Sequence, residues 1–115
     1  PDFPKLGVPA FYGEVGRHFR AIDAAEPPAG TAPVAPSFGN AGSNWDEVHR
    51  FYDFWLPWSS RRDFGAFVCR GPEELAAAAN RQERRLMEAE DEKARRQARK
   101  AYSASVREAA RRARQ

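Results

Sequence analysis

At 115 residues and 42% apolar, much of it alanine, the chain is long enough for one modest domain, and one small core with extended structure is expected. Charge divides it: residues 93–115 carry nine Lys/Arg and one acidic residue, net +8, whereas residues 1–92 carry ten Lys/Arg and fifteen Asp/Glu, net −5. No run of about 18 apolar residues exists, so no membrane span is expected; no signal peptide is visible, and the single Cys69 cannot close an intramolecular disulfide, which fits a reducing compartment. The first residue is Pro1, consistent with a fragment or a processed chain.

Residues 1–26 form an N-terminal segment. Its first eight residues are punctuated by Pro and Gly and read as extended. Residues 9–25 place Phe11, Val15, Phe19 and Ile22 at helical spacing, a one-sided apolar stripe. Gly13 and Gly16 each weaken that helix by roughly 1 kcal/mol relative to Ala, so it needs tertiary packing. Residues 27–44 hold four Pro and three Gly and read as a linker or surface strap, with Phe38 as its one large apolar anchor.

Residues 45–71 form an aromatic head, holding eight of the fourteen aromatic residues of the chain. Ser43 or Asn44 can cap a helix there, and Asp46 and Glu47 suit its first turn. The expected structural core is Trp45, Val48, Phe51, Tyr52, Phe54, Trp55, Trp58 and Phe64. Pro57 ends the helix, and a second short helix is expected around 60–68, with Phe64 and Phe67 packing back. An exposed recognition surface is the other reading of these rings; periodicity favours the core.

Gly71 breaks the chain, and Pro72 suits a first helical position with Glu73 and Glu74 behind it. No Pro or Gly follows, so residues 72–115 read as one charged helix, roughly 64 Å long, basic after 93. Asp91/Arg95, Glu92/Arg96 and Glu108/Arg112 are spaced for favourable pairs one turn apart. The fold class is therefore all-α: a small aromatic-cored helical head followed by one long basic helix.

On a helical wheel, Arg96, Lys100, Arg107, Arg111 and Arg114 fall within about 60° of one another. Ala98, Tyr102, Val106, Ala109 and Ala113 lie on the opposite side. A thin alanine stripe buries little apolar surface, so this half of the helix is expected to project from the head. The basic face reads as a phosphate-binding rod, since Arg presents several planar donors to phosphate. It reads equally as a solvated face conferring solubility. No base-reading motif accompanies it.

Catalytic chemistry has no visible carrier. His18 and His49 are far apart, Cys69 lacks a partner for zinc, and no P-loop or dinucleotide fingerprint occurs. Ser59 and Ser60 have no nearby His or elbow sequence. No enzyme, cofactor or metal is expected.

The string FYDFWLPWSSRRDF (51–64), followed by NRQERRLMEAEDEKARRQARKAY (80–102), resembles the zuotin homology region of ribosome-associated J-proteins, the DnaJ-type co-chaperones. PSFGNAGSNWDEVHRFYDFW (36–55) is closer to the branch acting in cytosolic maturation of the large ribosomal subunit, and FYGEVGRHFRAIDAAE (11–26) resembles the segment that joins the J domain to this region. The resemblance implies a cytoplasmic protein without membrane contacts whose long helix docks on the large subunit near the tunnel exit. It implies contacts with rRNA and ribosomal proteins, a DnaK-type chaperone engaged through a J domain, and other subunit-maturation factors as partners. Candidate rRNA-binding residues are Arg84, Arg85, Arg95, Arg96, Arg99, Lys100, Arg107, Arg111, Arg112 and Arg114. The chain departs from the family in lacking the His-Pro-Asp triplet and the zinc-finger elements, in residues 65–79, and in alanines beyond Val106 where larger apolar residues are usual. The alternatives are a zuotin-type chaperone of nascent chains and a helical protein–protein interaction module. A coiled coil is disfavoured because no sustained heptad of large apolar residues runs along 86–115.

Overall fold

The structure, a computed structural model, describes residues 7–27, 35–40 and 42–114. Most of the extended reading of residues 1–8, and residues 28–34 and 41 of the strap, lie outside them. The described residues are helical with no strand: α1 (Val8–Ala25), α2 (Trp45–Trp55), α3 (Gly65–Val68), α4 (Pro72–Ala76) and α5 (Arg81–Arg114).

Helix α1 carries the apolar stripe read from its spacing. Val15, Phe19 and Ile22 are buried, and Phe11 is half-buried. Its two interior glycines are tolerated because the head supplies packing: Phe19 meets Phe51 edge to face at 5.1 Å and Trp55 at 4.9 Å. Helix α2 begins where Asn44 Oδ1 accepts the backbone N–H of Glu47 at 2.9 Å, with Asp46 and Glu47 in the first turn. It ends at Trp55, ahead of Pro57.

The strap lays Phe38 into the rings of both helices, at 5.8 Å from Phe11, 5.4 Å from Tyr12 and 4.8 Å from Phe51. Gly39 follows at φ +84°, and a Cβ there would collide with Ser43 Oγ, which accepts the Asn40 N–H. Gly39→Ala is therefore expected to cost about 1–2 kcal/mol by chemical denaturation, through left-handed strain and the displaced hydroxyl.

Trp45, expected in the core, stands 72% exposed. It is the first residue of α2, and its ring packs on exposed His49 one turn on, at 4.8 Å. Phe51, Trp55 and Trp58 are buried; Val48, Tyr52, Phe54 and Phe64 are half-buried at the margin. Burial pushes the Tyr52 phenol from 10 up to about 12. The unfolded chain thus ionises first, so Tyr52 contributes stability that is intact below pH 10 and lost as pH rises through about 12. Urea melts of Tyr52→Phe across that window should show a flatter decline than wild type.

The segment after Pro57 departs from expectation. Residues 58–64 have no regular structure, and the single turn α3 follows, with Phe64 as its cap residue packing on Tyr102 at 5.4 Å. Phe67, expected to pack back, is 75% exposed. The turn approaches α5 through backbone instead: a Cβ on Gly65 would lie 3.0 Å from Arg95 Nε and 3.0 Å from Asp63 Oδ1.

The single helix expected over 72–115 is interrupted. Helix α4 ends at Ala76, and α5 restarts at Arg81 with a reciprocal cap. Asn80 Oδ1 accepts the Glu83 N–H at 2.8 Å, and Glu83 Oε2 accepts the Ala79 N–H at 2.8 Å. The side-chain caps stabilise a break that neither Pro nor Gly announces. Helix α5 alone, 34 residues, is about 51 Å long.

The part of α5 that projects is also reversed. Val106, Ala110 and Ala113 are 3%, 0% and 4% exposed and complete the aromatic core, so the distal half is the packed half. The alanine stripe is thin on its own. Its small side chains let the α5 backbone approach large rings, and the rings supply the buried area. Residues 81–86, where Leu86 is 62% exposed, extend beyond the Met87 carbonyl that Arg70 of the head reaches at 3.1 Å.

Candidate nucleic-acid interface

Helix α5 is held against the head by polar contacts that consume part of its charge. Buried Asp91 accepts from Arg70 Nη1 at 3.1 Å and from the Arg70 N–H at 3.3 Å, while Arg70 Nη2 reaches Glu90 at 2.8 Å. The hydrogen bond to Glu90, with help from both carboxylates, raises the Arg70 pKa. Arg95 is 3.4 Å from Asp63 and 3.5 Å from Glu92, and the nearby Cys69 and Asp63 raise its pKa. Neither Asp91/Arg95 nor Glu92/Arg96 forms: Asp91 pairs with Arg70 and Arg95 with Asp63, both from the head, while Glu92 meets Arg95 one turn on in α5 and Arg96 is left open; Glu108/Arg112 forms at 3.8 Å.

The ten candidate basic residues therefore fall into distinct groups. Arg95 is engaged as above, and Arg99 Nε donates to the Arg62 carbonyl at 3.1 Å. Arg107 Nη1 donates to the Trp58 carbonyl at 2.8 Å, and half-buried Arg107 thereby ties the basic face to the head. Arg111 and Arg112 share Glu108, and Arg84 pairs with Glu88 at 3.2 Å. Arg85, Arg96, Lys100 and Arg114 are exposed and make no hydrogen bond or ion pair among the described residues. Arg84 and Arg85 lie on the projecting part of α5, away from the distal cluster.

Arg96, Arg99, Lys100 and Arg107 converge on a shallow depression of about 300 Å³, closed by Ser59 and Ser103. No acidic side chain lines it. Such a concavity holds a row of donors, four of them cationic, which suits an anion with several oxygens. The loop residues were missed as contributors. Ser59 closes the depression, and Arg62 lies over the rings of Phe64 and Tyr102 at 4.9 and 5.1 Å. The basic pair Arg61–Arg62 is visible in sequence, but its place beside α5 is set by tertiary packing.

The remaining chemistry-bearing residues are dispersed. His18 packs edge-on against Phe19 at 5.2 Å, and burial lowers its pKa. His49 sits against Trp45 at 4.8 Å. Cys69 Sγ donates to the Asp91 carbonyl at 3.3 Å. Among the described residues no cluster of His, Cys, Asp or Glu could hold a metal, and no helix is long and apolar enough to cross a membrane.

Comparison with known proteins adds two findings. The family model described as "Zuotin-like, zuotin homology domain" matches residues 11–115. DnaJ homolog subfamily C member 21 of Danio rerio is 38% identical over 74 residues, covering 64% of this chain and 13% of that protein. The chain thus corresponds to a small part of that relative's length. No solved structure matches.

Proposed function

The chain belongs to the Zuotin-like, zuotin homology domain family, and we propose that it is the ribosome-docking region of a cytoplasmic DnaJ-type co-chaperone acting in maturation of the large ribosomal subunit. The observation that carries the docking role is the cationic depression on α5, where Arg96 and Lys100 stand exposed and free of carboxylates beside Arg99 and Arg107. Such a face suits the phosphate backbone of rRNA, with neighbouring ribosomal proteins as further contacts. Arg85 and Arg114 extend the same chemistry along the helix. In this reading the chain docks and does not catalyse. ATP hydrolysis would be stimulated by a J domain acting on a DnaK-type chaperone, and this sequence holds no His-Pro-Asp triplet to do so. The maturation role, with other maturation factors as partners, is supported by the likeness of residues 36–55 to that branch of J-proteins.

Binding to purified large subunits, measured across salt concentration, tests docking. The logarithm of affinity should fall linearly with the logarithm of salt, with a slope of roughly −2 to −4 for a face of three to five phosphate contacts. Absence of binding at low salt, or binding indifferent to salt, would overturn the proposal. Fractionation tests the finer role: a maturation factor follows free large subunits and their precursors, whereas recovery with polysomes would favour a nascent-chain chaperone.

A further inference from the structure

The depression on α5 contains one accessible hydroxyl. Ser59 is exposed, sits in the irregular segment 58–64, and makes no hydrogen bond among the described residues. Its neighbours are committed. Ser60 is 5% exposed and donates its hydroxyl to Glu26 Oε2 at 2.7 Å, while Ser103 is 3% exposed and its Oγ accepts the Ser60 N–H at 2.8 Å. These two contacts, with Arg107 donating to the Trp58 carbonyl, pin the backbone on both sides of Ser59 and hold its side chain at the rim of the four cations. Arg61 and Arg62 follow at two and three residues, a local pattern suited to a protein kinase that reads basic residues after its acceptor.

We propose that Ser59 is a phosphorylation site whose phosphate fills the depression lined by Arg96, Arg99, Lys100 and Arg107 and thereby releases the chain from RNA. The inference rests on the docking reading for its consequence, although not for the seat itself. In the modification, Ser59 Oγ attacks the γ-phosphorus of ATP, the bond to the bridging oxygen of ADP breaks, and the hydroxyl proton passes to the kinase's base. The product carries about −1.5 to −2 charges and three acceptor oxygens. A depression of about 300 Å³, roughly ten water volumes at ~30 Å³ each, admits that group with its hydration. Arg96 and Lys100, free in the unmodified chain, gain a charge-assisted partner. The phosphate offsets about half of the positive charge of the four cations, so the depression has correspondingly less to offer RNA.

Phosphoserine encoded at position 59 of the 115-residue chain, with phosphoserine at exposed Ser105 as a control of equal charge, tests this. Ser105 lies on another face of α5, its hydroxyl donating to the Tyr102 carbonyl at 2.7 Å. Against purified large subunits and an RNA hairpin at about 0.1 M salt, phosphoserine 59 should weaken binding about tenfold or more, and phosphoserine 105 by less than about threefold. Phosphorus NMR should show the phosphate at 59 ionising at lower pH than the phosphate at 105. Equal loss of binding at both positions, or identical phosphate titrations, would overturn the proposal. Binding by the unmodified chain that survives phosphorylation at 59 would sink the switch and leave docking standing. A chain that never binds RNA would sink docking, while the titrations alone would still decide whether the depression seats the phosphate. Peptide mapping of the protein from its own cells should find phosphate on Ser59; its absence in both growing and starved cells would also overturn the assignment.

Discussion

Trp55→Ala is expected to destabilise the chain by about 3–5 kcal/mol, whereas Trp45→Ala should change its stability by less than about 0.5 kcal/mol. The two tryptophans open and close the same helix, yet Trp55 is 1% exposed and Trp45 72%. Trp55 lies at the junction of the head, with ring centroids 4.9 Å from Phe19, 5.0 Å from Phe54 and 5.3 Å from Trp58. Trp58 passes the contact on to Tyr102 of α5 at 6.0 Å. Truncating Trp55 removes a ring that α1, α2 and the approach to α5 all pack around, and this small core has no second layer to collapse into the gap. For a domain whose total stability is of the order of 5–15 kcal/mol, that is a large fraction. Urea melts followed by far-ultraviolet circular dichroism would measure both. Equal shifts for the two variants would mean that the ring network does not hold the head together.

What the sequence made legible divides by the range of the interaction. Helices α1 and α2 and the Asn44 cap rest on neighbours a few residues away, and periodicity or capping chemistry predicts them; Phe38 stands out as the one large apolar residue of its strap, although its partners Phe11, Tyr12 and Phe51 are distant in the chain. The break at 77–80 is also local, carried by Asn80 and Glu83 three residues apart, but its signal is a side-chain cap and not a Pro or Gly. The direction of the projecting helix was not local. Judging Val106, Ala109 and Ala113 by their own surface misses the rings of the head that meet them. Asp91 shows the same limit: one turn away stands Arg95, but the partner that buries it is Arg70, 21 residues back. On the candidate interface, the wheel assembled the basic face from α5 alone. The structure divides that face into cations already engaged, such as Arg95 and Arg107, and cations left open, such as Arg96 and Lys100. It also adds Ser59 from a loop that no helical period could place there.

That division gives the second large effect. The double variant Arg96→Glu with Lys100→Glu is expected to weaken binding to large subunits about 100-fold at ~0.1 M salt and to flatten the salt slope by roughly two. Both side chains are exposed and carry no ion pair among the described residues, so reversal removes two phosphate contacts and adds two repulsions without opening the core. Thermal melting should stay within the range of other surface substitutions, about ±0.5 kcal/mol. Arg111→Glu with Arg112→Glu makes the same change in net charge but should cost less than about tenfold, because Glu108 already offsets that pair at 2.8 and 3.8 Å. Arg107→Glu belongs in a separate class. Its guanidinium holds the Trp58 carbonyl, so reversal there should lower stability and binding together. Co-sedimentation and melting curves measured on the three variants separate a specific phosphate seat from general attraction. If the Arg111/Arg112 variant loses as much affinity as the Arg96/Lys100 variant, net charge governs docking and the depression has no special role.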